Sequence, residues 1–163
     1  MMMRRLFVAA LLILADYSPG HAQQTAAPAY GAPIDLALAK RVMAAAEAEA
    51  TRNNWAVAIA VIDTTGDLVM LQRLDNTNLS STRIARGKAR TALEFRRPTK
   101  ALEEAIAAGG PGLRLLAVEG VTPIEGGLPL IVDGKIIGAI GVSGGAAYQD
   151  AQVGKAGADA IKQ

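Results

Sequence analysis

Strands arrive in this chain as hairpins, which limits the fold more than any other feature. Leu128 to Val132 and Lys135 to Ser143 are apolar runs separated by Asp133-Gly134. That dipeptide readily supplies the positive φ angles of a two-residue hairpin turn. Trp55 to Asp63 and Leu68 to Leu74 are joined in the same way by Thr64-Thr65-Gly66-Asp67. In the first of these runs Trp55, Val57, Ile59 and Val61 alternate with Ala56, Ala58, Ala60 and Ile62. Both faces are apolar, so both need cover.

Helical patterns supply that cover. Asp35 is placed to cap a helix running to Asn53, with Leu36, Ala39, Met43, Ala46 and Ala50 at helical spacing. Ser80 to Phe95 reads as a second helix with Ala85, Ala89 and Ala92 on its packing edge, stopped by Pro98. Thr99 to Ala108 is a short third helix, Leu113 to Val118 a short strand, and Ala147 to Ile161 a final helix. The order is helix, hairpin, two helices, hairpin, helix. It predicts an α+β fold built on an antiparallel sheet rather than a Rossmann sheet. Neither a Gly-x-Gly-x-x-Gly turn between strand and helix nor a Walker loop is present.

The chain divides into three parts. Residues 1–22 read as a signal peptide: Arg4 and Arg5 precede an apolar run from Leu6 to Ala15, and Gly20-His21-Ala22 offers small residues for a cut before Gln23. The run is too short to span a bilayer as a helix, so a periplasmic or secreted location without stable membrane insertion is expected. Residues 23–33, rich in Ala, Gln and Pro, read as a flexible segment. Residues 34–163 read as one domain.

Cysteine is absent and the single histidine is His21. Loss of the leader therefore leaves a chain with neither residue. Disulfides, thiol catalysis, Ser-His-Asp triads and His- or Cys-bound metals are then excluded within one chain. Acid–base work would fall to carboxylates such as Asp63 or Asp150, to Lys or to Tyr, and no paired-carboxylate pattern marks any of them as catalytic.

The densest charged patch is Arg83, Arg86, Lys88, Arg90, Arg96, Arg97 and Lys100 against Glu94. Arg83, Arg86 and Arg90 share a helix face by spacing, and guanidinium forks suit carboxylates and phosphates. The patch reads either as an anion-binding ridge or as a solvated or subunit-contact face. Nucleic acid is disfavoured by a net charge of only +2 and by 4% aromatic residues. Two glycine stretches stand out: Gly126-Gly127 opening a strand, and Ser143-Gly144-Gly145 between a strand and a helix. The second places amides near a helix N-terminus, where they can cradle an anion or simply make a tight turn.

Several phrases together resemble the GlcG/HbpS-like family, which includes the C-terminal domain of PduO proteins. They are Ile59-Ala60-Val61-Ile62-Asp63 with Gly66; Arg73-Leu74-Asp75; Ile84-Ala85 with Lys88-Ala89 and Thr91-Ala92; Phe95 and Thr99; Gly126-Gly127-Leu128-Pro129; Asp133-Gly134; Gly138 through Gly145; and Asp150. The resemblance implies a profilin-like or PAS-like antiparallel sheet of about five strands flanked by helices. It also implies symmetric homo-oligomers, often octamers. Some members bind haem, and one exported group reports haem or redox status to a sensor protein. On that basis Arg83, Arg86, Lys88, Arg90, Gly126, Gly127, Ser143, Gly144 and Gly145 are the candidate ligand-binding residues for haem or a related anionic tetrapyrrole. With no histidine in the mature chain, Met43, Met70, Tyr30, Tyr148 and Thr122 remain as candidate iron ligands. Two other readings stand beside this one: an enzyme or accessory protein for a small organic acid, and a structural or signalling oligomer without a small ligand.

The leader yields the first prediction. The intact mass of exported protein should correspond to a chain beginning at Gln23, whereas a cytosolic full-length chain would contradict the leader reading.

Overall fold

The computed structural model describes residues 26–162. The expected signal peptide, His21 and the residues to Thr25 lie outside the described residues. Among the described residues no helix is long and apolar enough to cross a membrane.

Helix α1 is Leu36–Arg52, and the Asp35 carboxylate accepts the Leu38 N–H at 2.7 Å as its cap. The first hairpin pairs β2, Ala58–Asp63, with β3, Leu68–Arg73. Helices α2, Ser81–Phe95, and α3, Thr99–Ala107, follow. The second hairpin pairs β4, Gly127–Val132, with β5, Lys135–Ser143, before α4, Ala147–Asp159. Asp133 at φ 49° and Gly134 at φ 71° make its turn, as the dipeptide predicts. Antiparallel pairing of β2 with β5 joins the hairpins in the order β4-β5-β2-β3. The α+β class, five strands and helical cover are as expected.

The structure corrects two readings. Ala29–Tyr30, expected within the flexible segment, forms strand β1 and pairs parallel with Lys135 and Ile136 of β5. Because β2 pairs with β5 only from Gly138 onward, the start of β5 is left open for it. Gly31 and Ile34 donate to the Ile136 and Ile137 carbonyls, each at 2.7 Å. The sheet is therefore mixed. Leu113–Val118, expected as a strand, lies largely in a 3-10 segment, Gly110–Ala117. Gly109 and Gly110, at φ 73° and 56°, turn the chain back. A Cβ on Gly112 would sit 1.9 Å from the Ala105 carbonyl oxygen, so the segment folds tightly onto α3 and does not reach the sheet.

The two faces of the sheet are packed differently. Helices α1 and α4 cover one face, where Val42, Met43, Ile59, Val61, Ile140, Val142 and Val153 form the main core. Helix α2 covers the other through small residues: Ala58, Ala60, Ala85, Ala89 and Ala139 are all buried there. A Cβ on Gly141 would lie 2.1 Å from the Ala85 carbonyl oxygen and 2.5 Å from the Ala89 nitrogen. The α2 backbone thus rests almost on the sheet. It lies over β5, β2 and β4 and touches β3 only at its margin.

This contact predicts that Gly141→Ala destabilises the protein by about 1–3 kcal/mol or more, since backbone rather than a flexible side chain must move. Chemical denaturation of the variant measures it. An unchanged midpoint would contradict the packing described.

Candidate functional site

Because α2 stops short of β3, a strip of apolar sheet remains open beside it. Leu68 and Leu71 on β3 are 41% and 42% exposed and form, with Ile62, the floor of a groove of about 330 Å³. Its wall is the α2 face carrying Thr82, Arg83, Arg86 and Arg90. The helical spacing read from the sequence is realised: the three arginines line one groove. Arg90 Nε donates to Glu94 at 2.7 Å, one turn on. The Arg83 and Arg86 side chains make no ion pair or hydrogen bond among the described residues. The groove thus presents free guanidinium donors above a greasy floor, an arrangement suited to a flat apolar body carrying carboxylates.

Lys88, expected with this ridge, lies elsewhere. It sits on the buried edge of α2 at 1% exposure. Its Nζ donates to Asp150 Oδ2 at 2.8 Å and to the Glu125 carbonyl at 2.7 Å. The glycine stretches gather around this pair rather than around the groove. Gly126, at φ 125°, would place a Cβ within 2.9 Å of both the Lys88 Nζ and the Asp150 side chain. A Cβ on Gly127 would lie 2.3 Å from the Lys88 carbonyl oxygen. Gly144 packs against Ala56 and Val57, Gly145 N–H donates to Asp150 Oδ1 at 3.0 Å, and Ser143 is buried opposite Ala58. The expected anion cradle is occupied by the protein's own carboxylate. Thr99 completes the cluster, its hydroxyl accepting the Gly127 N–H at 2.9 Å.

Burial pushes the Asp150 carboxyl above its ordinary 3.8, and the Lys88 ammonium with the Gly145 and Gly144 amides offsets this only in part. Asp63 behaves in the opposite sense. Slight desolvation raises it, but hydrogen bonds from the Thr65 hydroxyl and the Thr65, Asp67 and Gly66 amides outweigh that and hold it below 3.8. Its Oδ1 accepts Thr65 N–H at 2.8 Å and Asp67 N–H at 3.1 Å, so Asp63 organises the β2–β3 turn. Neither carboxylate lines the groove.

The described residues include no group of three or more His, Cys, Asp or Glu that could hold a metal. Met43 is buried in the main core, and Met70 packs against it. The Tyr30 hydroxyl donates to the Leu93 carbonyl at 2.9 Å, Tyr148 is 63% exposed on α4, and the Thr122 amide donates to Thr91. None of these candidate iron ligands lines the groove, whose only hydroxyl is that of Thr82. Leu68 and Leu71, which the groove needs most, are missed by sequence reading. Their exposure depends on where α2 stops. The Lys88–Asp150 pair had a signal: a lone lysine among Ala85, Ala89 and Ala92 on a buried stripe.

A mixed five-strand sheet with helices on both faces and a cationic groove beside an edge strand defines a small α+β domain with one candidate ligand groove there. A family model described as "Haem degrading protein HbpS-like" matches residues 34–159, and the chain belongs to that family. It is 46% identical over 106 residues to the protein GlcG of Escherichia coli, across 65% of this chain and 78% of that one. The fold is similar to a crystal structure of a double mutant of HbpS from Streptomyces reticuli: TM-score 0.73, 28% identity, covering 95% of this chain and 99% of that one. It is also similar to the crystal structure of a PduOC:haem complex, with TM-score 0.72 and 27% identity over 79% of this chain and 95% of that one.

The buried pair predicts a non-additive stability pattern. Lys88→Met strands a buried carboxylate and should cost about 3–5 kcal/mol, whereas Lys88→Met with Asp150→Leu should recover much of that loss. Urea unfolding of the wild type, both single variants and the double variant tests this, and additive losses would contradict it. The raised Asp150 value also fixes a sign. Between 3.8 and its folded value the folded state binds more protons, so this contribution is full below 3.8 and is lost as pH rises through the folded value.

Proposed function

We propose that the protein binds haem, or a closely related anionic tetrapyrrole, in the groove between α2 and β3. The observation that carries this reading is the placing of Arg83 and Arg86, unpaired among the described residues, over exposed Leu68 and Leu71. The floor suits the apolar macrocycle and the guanidiniums suit its propionates. Membership of the HbpS-like family and likeness to a PduOC:haem complex support the same ligand. The groove lining contains no histidine, cysteine or methionine, so affinity would rest on apolar contact and propionate pairing. No carboxylate lines the groove either, and the reading is one of binding rather than acid–base catalysis. Bound haem would supply redox-active iron.

The proposal includes export to the periplasm or exterior, self-assembly into a homo-oligomer such as an octamer, and a role in haem or redox sensing through a partner sensor protein. Leu79 and Leu116, 85% and 66% exposed, favour assembly, since an apolar side chain gains by leaving water.

Haemin titration of the purified protein tests the ligand. A saturable Soret shift with a high-spin spectrum is expected. Arg83→Ala should weaken binding by about tenfold, the loss of one charged hydrogen bond. Arg90→Ala should weaken it less, because Glu94 already engages that side chain. A low-spin bis-nitrogen spectrum would contradict the ligation reading. Absence of saturable binding would overturn the haem proposal.

A further inference from the structure

A second groove, larger than the first at about 480 Å³, follows the outer edge of β4 between α4 and the turn from α2 to α3. The two grooves share no lining residue. Its floor is apolar, with Leu128, Pro129 and Ile131 from β4 facing small residues of α4. Around that floor stand four cations from two parts of the chain: Arg96 and Arg97 at the C-terminal end of α2, and Lys155 within α4 with Lys162 just beyond it. The one acid in the lining, Asp159, is already bonded to both Lys155 and Lys162.

α4 has no basic residue in its last turn: Lys155 lies within the helix and Lys162 beyond its C-cap, Ala160. Arg96 is the C-cap of α2 and Arg97 follows it, so the α2 dipole favours cations there, and both side chains also line the groove. Arg96 is held over the Tyr30 ring, 5.9 Å from its centroid. Arg97 spends only its Nε, on the Phe95 carbonyl at 3.2 Å. Its terminal amino groups therefore remain available as a fork.

The occupant is narrowed by β4 itself. β5 takes one edge of β4, and among the described residues the other carries no strand. Pro129 lies in the middle of β4 and has no N–H, which makes the free edge a poor template for another strand. An apolar channel with a net cationic rim and a blunted strand edge suits a molecule with a greasy body and an anionic head. We propose that this groove binds a single amphiphilic carboxylate of the long-chain fatty-acid class, its chain along Leu128–Ile131 and its head at Arg97 and Lys155. This site is separate from the haem reading and does not depend on it.

Fluorescence titration with cis-parinaric acid, followed by displacement with palmitate, tests the proposal. Saturable binding is expected, with displacement by palmitate and at least about tenfold weaker displacement by palmitate methyl ester, which lacks the charge. Arg97→Glu and Lys155→Glu should each weaken binding by about tenfold or more, while Arg83→Ala leaves it unchanged. Both charge reversals are at exposed positions, and unchanged thermal midpoints would show that the variants fold. Parinaric acid should still bind when haemin is present, separating the two grooves. Absence of saturable binding, equal displacement by the methyl ester, or a loss with Arg83→Ala matching that with Arg97→Glu would each overturn the assignment.

Discussion

Helices α2 and α4 lie on opposite faces of the sheet, yet one ion pair ties them together where β4 begins. Lys88 reaches from α2 to Asp150 in the first turn of α4, and both side chains are nearly devoid of solvent contact. A pair so buried holds only if its remaining polar atoms are met. Here the Glu125 carbonyl and the Gly145 amide meet them. The surrounding chain is shaped by that requirement. Gly126 and Gly127 have no side chain because the lysine, the aspartate and the α2 backbone fill the space. Lys100 and Glu103 then hold Glu125 from α3, by its carboxylate and its amide respectively. The ion pair thus sets where β4 starts, how α3 docks and how α4 leaves the sheet.

With α2 pinned at that end, its small-residue face decides how it lies. Alanines and Gly141 let the helix sink onto β5, β2 and β4, so its reach across the sheet is short and β3 is left partly bare. The arginine ridge then faces a strip of exposed leucine instead of open water. The groove is a consequence of close packing: a bulkier α2 face would ride higher and open the buried layer as well.

Much of this architecture was legible in the chain. Asp133-Gly134 marked its hairpin, Asp35 marked the start of α1, and the 83, 86, 90 spacing marked a common helix face. Each is a local rule, decided by neighbours within about one turn. The errors came where partners are distant. Ala29 and Tyr30 carry no strand pattern, and they pair because β2 leaves the start of β5 unsatisfied. Leu113 to Val118 is apolar enough for a strand, yet two glycines at positive φ turn it back onto α3. Lys88 reads as one more cation in a basic run, and only its long-range partner Asp150 shows why it is buried.

By itself, the sequence determined the hairpins, the helices, the alanine face of α2 and the arginines that share its outer side, because backbone propensity and side-chain period act over a few residues. Tertiary structure alone supplied the carboxylate that Lys88 meets inside, left Arg83 and Arg86 unpaired among the described residues, set Gly144 and Gly145 beside a buried carboxylate, and made Leu68 and Leu71 a floor. The physical reason is that burial of a charge and exposure of a leucine depend on what the rest of the chain brings alongside. For Lys88 that is a carboxylate 62 residues away; for Leu68 and Leu71 it is a helix that stops one strand short.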